Sequence, residues 1–169
     1  MMFRYRTFGA AFAVLAVAAV APAQDDEMQK FAGPWSVTAA KLGEMDASEL
    51  VGAAFLFEGN VAKFTQAGED GKPVTDVHPI KTDPKSNRIV LYQQPNPEDP
   101  KADPTAGMQR GIYAFKESPE GSLLYLCLTA PDAKDFPTKF VAKDEKADYL
   151  LLRLERPTKS ASTAGATAK

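Results

Sequence analysis

From Trp35 to Arg156 the apolar residues fall in runs of about five to eight, cut by turn residues roughly every eight to twelve positions, a spacing that antiparallel strands fill and helices do not. Nine segments fit: 35–42, 53–58, 61–66, 73–81, 88–92, 110–116, 122–129, 138–143 and 148–155. Alternation with period two places Trp35, Val37 and Ala39 on one face of a strand, as it does Phe55 with Phe57, Leu124 with Leu126 and Leu128, and Leu150 with Leu152 and Leu154. Gly59-Asn60 suits a tight hairpin, and 83–87 and 118–121 are turn clusters, so neighbours in sequence pair in a meander. Asp46 followed by Glu49 reads as the start of a short helical turn with Asp46 as N-cap. Pro79 marks an interrupted strand or an edge. An open meander leaves two long unpaired edges, which closure removes. The expected fold is therefore all-β, a single antiparallel up-and-down barrel of about eight strands. A two-sheet sandwich of immunoglobulin type lacks its Cys pair around a tryptophan.

The segments flanking 31–156 are of another kind. Arg4 and Arg6 precede an uncharged run from Phe8 to Val20, and Ala21-Pro22-Ala23 is a small-residue cleavage pattern, so 1–23 reads as a cleaved secretory signal. The run is 13 residues, short of the roughly 20 that a bilayer crossing takes, and no membrane span is expected after its removal. A periplasmic or secreted setting follows. Residues 24–30 form an acidic leader with room for one turn of helix, and 157–169, without a large apolar side chain, reads as a disordered tail.

Twenty basic against 22 acidic residues leave no positive excess for nucleic acid, and without Arg4 and Arg6 the balance is 18 against 22. The one cysteine, Cys127, has no partner for a disulfide, and between Leu126 and Leu128 it reads as a buried, inert thiol.

The ordered set Gly33-Pro34-Trp35, Gly111-Ile112-Tyr113, Leu124-Tyr125-Leu126-Cys127, Phe136-Pro137-Thr138-Lys139-Phe140 and Leu150 to Arg156 resembles a lipocalin-like domain family of unknown function found in planctomycete bacteria, and more broadly the calycin barrels. Pro34 stands where that family has Thr and Phe136 where it has Arg, so no role of that arginine carries over. The resemblance implies a lipocalin-like barrel and an exported setting, and no activity. It also implies that Gly33 and Trp35 close one end of the barrel with an arginine of the last strand, Arg153 or Arg156, across the indole.

Candidate functional residues divide between interior and loop. Phe55, Phe57, Phe64, Leu91, Phe115, Leu124, Leu126, Phe140 and Leu152 either fill the barrel or line a cavity for a small hydrophobic ligand. Leu123, Tyr125 and Cys127 make the opposite face of their strand apolar too, which calls for a cover: a second protomer, the long loop or a partner. The 15-residue connection from Gln93 to Gly107 carries four prolines; it is a passive flap, a lid, or a segment offered to an envelope or secreted protein. Glu98, Asp99 and Asp103 lack the spacing and glycine of a calcium loop. His78 is the only imidazole, and no nucleophile elbow, metal, phosphate or dinucleotide motif occurs, so neither catalysis nor a cofactor is expected.

Overall fold

The computed structural model describes residues 24–93, 106–118, 121–145 and 147–156. The secretory-signal reading over 1–23, the tail over 157–169 and most of the proline-rich connection fall outside them. After a helix α1 (Gln24–Phe31), the strands are β1 (Gly33–Leu42), β2 (Met45–Asp46), β3 (Ala54–Glu58), β4 (Val61–Ala67), β5 (Pro73–Asp83), β6 (Arg88–Leu91), β7 (Gln109–Ser118), β8 (Gly121–Leu128) and β9 (Leu150–Glu155). Each strand from β3 onward pairs antiparallel with the next, β1 pairs with β3, and β1 closes on β9 through Ser36↔Glu155 to Leu42↔Leu150. Eight strands thus form a closed all-β barrel, with β2 an extra strand hooked onto the end of β1.

Closure needs strands that change neighbours partway along, and the sequence supplies the devices. β1 pairs with β3 over 33–36 and with β9 over 36–42, with a bulge between Val37 and Ala39. The bulge flips the side-chain alternation, so Trp35 and Val37 are followed into the core by Ala40, and Ala39 is exposed, contrary to the strict alternation expected. Pro79 neither breaks a strand nor lies at an edge. It is the last residue of β5 paired to β4, opposite Val61, and pairing with β6 begins at Ile80, so its missing N–H falls where the ladder changes hands. Gly59 at φ 57° turns the β3–β4 hairpin as expected. Gly111 lies between Ile89 and Leu128 on neighbouring strands, and a Cβ there would meet Leu128 Cδ2 at 2.5 Å and the Cys127 carbonyl at 2.8 Å, which explains the glycine of the Gly111-Ile112-Tyr113 motif.

Three other expectations change. Asp46 lies in β2, paired with Lys41, and the single 3₁₀ turn Ser48–Leu50 has Ala47 as its N-cap with no side-chain cap. No strand forms over 138–143; Phe140 is 40% exposed and lies outside the barrel rather than in its interior. Instead, 129–145 and 147–149 run as an irregular strap against the outer wall, tied by the Cys127 thiol to the Val141 carbonyl at 3.4 Å and by the Arg110 guanidinium to the Ala133 carbonyl. This strap covers Cys127, so the apolar outer face of β8 has a neighbour within the chain itself.

Candidate functional site

The two ends of the barrel differ. At one end α1 acts as a stopper. Phe31, fully buried, packs its ring against Phe57, Tyr113 and Phe115 with centroids 5.2, 4.9 and 4.8 Å away. Residues 24–30, expected to be a leader outside the domain, belong to this plug: Glu27 is buried and accepts from the Tyr113 hydroxyl at 3.0 Å and from Lys30 Nζ at 2.7 Å. Burial, reinforced by the Glu27 carboxylate, raises the Tyr113 phenol well above its ordinary value of 10.0.

Trp35 is 1% exposed beneath this plug and donates from Nε1 to the Phe31 carbonyl at 2.7 Å. Arg156 lies over the indole, its Cζ 4.3 Å from the ring, and donates from Nη2 to the Lys30 carbonyl at 2.7 Å. The free carbonyls at the end of α1 are thereby satisfied by the two residues that seal the barrel. Of the two arginines considered, Arg156 takes the closing position; Arg153 points outward to Glu155 at 2.6 Å. Gly33, at φ 100°, provides the turn from helix into β1 opposite Phe57.

At the other end the interior is not filled. A cavity of about 200 Å³ is lined by Phe55, Phe64, Leu91, Leu128, Leu150 and Leu152, together with Leu50 of the 3₁₀ turn. Its polar residues are Gln66, His78 and Gln109. Among the described residues no Lys, Arg, Asp or Glu lines it. Strand register accounts for the set: Phe55 faces Phe64 and Leu91 faces Gln109 across single pairs, and Leu152 follows Leu150 on the inward row of β9.

The nine expected interior residues therefore separate three ways. Phe55, Phe64, Leu91 and Leu152 line the cavity; Phe57, Phe115, Leu124 and Leu126 pack the core toward the stopper; Phe140 is outside. The sequence singles out His78 only as the one imidazole and does not mark Gln66 or Gln109, although two-residue steps from Phe64 and back from Ile80 place Gln66 and His78 on the inward faces of β4 and β5.

Two larger grooves, of about 670 and 620 Å³, flank Phe136 where the strap meets the outer wall. Both are open and carry charges of both signs, Arg88 and Asp83 in one, Lys134 and Asp135 in the other. Cys127, against the strap, is shielded, and burial pushes its thiol up to about 11, well away from the reactive thiolate. Among the described residues no cluster of His, Cys, Asp or Glu could hold a metal ion, and no helix is long and apolar enough to cross a membrane. Compared with family models, curated proteins and solved structures, the chain finds no match in any of the three.

Proposed function

We propose that this protein is an exported lipocalin-like binder that holds a small, mainly hydrophobic molecule in the open end of its barrel. The carrying observation is the asymmetry of the interior: aromatic packing stops one end, whereas the other keeps an apolar cavity with three polar residues on its wall. A few polar groups on an apolar concave surface are what a ligand pocket consists of. The volume bounds the ligand. Dry cavities of about 150 Å³ accept benzene, and drug-sized ligands take roughly 300–1,000 Å³. At about 200 Å³ this cavity suits a molecule of one ring or a short branched chain.

Binding without turnover is supported by the lining, in which, among the described residues, His78 is the one titratable side chain and no nucleophile or carboxylate stands beside it. Export is supported by the Arg4 and Arg6 start, the apolar run and Ala21-Pro22-Ala23. Membership of the planctomycete lipocalin-like family is supported by the ordered motifs, since Trp35 serves the closing role that the resemblance implies and Gly111 meets a packing demand.

A heteronuclear NMR titration with toluene tests the reading. Shift changes centred on Phe55, Phe64, Leu91 and Leu152 are the expected result. No change at millimolar toluene, or changes confined to the outer wall, would overturn it.

A further inference from the structure

Two polar atoms of the cavity wall can be assigned as acceptors by elimination. His78 Nδ1 lies 3.2 Å from the Tyr92 carbonyl oxygen. A carbonyl only accepts, so Nδ1 carries the proton, and in the neutral ring Nε2 is left as an acceptor. Gln109 donates one Nε2 hydrogen to the Thr129 carbonyl at 3.2 Å, which fixes the amide and leaves Oε1 as an acceptor beside the second Nε2 hydrogen. Gln66 can serve as either. Among the described residues no cation stands in the lining to receive an anion. A carboxylate placed there would be desolvated without a counter-charge, whereas a hydroxyl or amine hydrogen would meet one of two fixed acceptors.

Resting on the proposed binding role of this cavity, we infer that its ligand class is a neutral, single-ring-sized molecule bearing a hydrogen-bond donor, of the phenol or aryl-alcohol type, and that His78 Nε2 and Gln109 Oε1 read the donor. Fatty acids and aryl carboxylates are disfavoured by the same wall, which sets no described cation against their charge. This differs from a purely hydrophobic trap, in which a methyl group and a hydroxyl on the same ring would rank by apolar area and the methyl would win.

The test compares phenol, toluene and benzoate on the full protein at pH 8 by NMR titration. Phenol is expected to bind about threefold tighter than toluene, one good neutral hydrogen bond outweighing the methyl it replaces, and benzoate to show no saturable binding at the cavity. In His78→Phe, which keeps a ring and loses the acceptor, the phenol preference should shrink toward unity while toluene binding persists; Gln109→Leu is the second variant, should the first fold poorly. Toluene binding as tightly as phenol, or benzoate binding tightest, would overturn the inference and leave the cavity as a binding site. Failure of all three to bind would remove the cavity as a site and the inference with it.

Discussion

Replacing Trp35 with alanine should unfold this protein more readily than any other single truncation at the closed end. The side chain is 1% exposed, and truncating a buried tryptophan costs about 3–5 kcal/mol in lost burial and cavity formation. Two further losses are specific to this site. The hydrogen bond from Nε1 to the Phe31 carbonyl contributes about 1 kcal/mol, and the Arg156 guanidinium over the indole about 1 kcal/mol. Both also hold α1 in place, so the plug loosens with the ring. A total loss of about 5 kcal/mol corresponds to a fall in Tm of about 20 °C for a domain of this size. Urea unfolding followed by circular dichroism measures it, and Trp35→Phe separates the contributions. The phenylalanine keeps most of the apolar volume and loses the donor, and its expected cost is about 2 kcal/mol. A loss below about 2 kcal/mol in Trp35→Ala would refute the argument that this ring seals the barrel.

The two arginines near that ring should behave differently. Arg156→Ala should cost about 2 kcal/mol, since it removes the ring contact and a charged donor to the end of α1, whereas Arg153→Ala should cost under about 0.5 kcal/mol because its ion pair with Glu155 is exposed; equal effects in urea unfolding would contradict the assignment. The folded state binds the Tyr113 proton more tightly than the unfolded chain, so the stability this contributes is intact below pH 10 and declines as the pH rises above it. Urea midpoints from pH 8 to 11 should therefore fall less steeply in Tyr113→Phe than in the native protein, part of the alkaline loss persisting through Cys127, whose thiol is raised to about 11; parallel alkaline limbs would contradict this. Cys127 should react with Ellman's reagent at pH 8 only as fast as the protein opens, and at once in strong denaturant; rapid labelling of the native protein would show that the strap does not cover it.

Sequence reading recovers what depends on local alternation and turn chemistry. Phe55, Phe57, Leu124, Leu126, Leu152 and Leu154 are inward because period two holds along their strands, and Gly59 turns its hairpin because its backbone must be left-handed. It fails where a distant partner decides. The bulge that exchanges Ala39 for Ala40 serves the stagger between β1 and β9, more than a hundred residues apart in the chain, and nothing in the local pattern marks it. Phe140 and its neighbours carry a strand-like composition but bind the outer wall through single contacts, such as Val141 to Cys127, that leave no period to read. The leader over 24–30 joins Phe31 in a plug because Phe31 and Glu27 find Phe57 and Tyr113, a tertiary match that an eight-residue helix cannot announce alone. Which end stays open follows from the sum of these matches. The cavity's hydrophobic half was therefore legible as part of an interior list, and its polar half was not, since Gln66, His78 and Gln109 look like surface residues until the register turns them inward.

The most direct measurement of the sealed-at-one-end, open-at-the-other barrel is diffraction from a crystal held under xenon, which enters dry apolar cavities. The account predicts a xenon atom among Phe55, Phe64, Leu91 and Leu152 and none among Phe31, Phe57, Tyr113 and Phe115, where the rings leave no room. Side chains filling the first position, or xenon at the second, would contradict it.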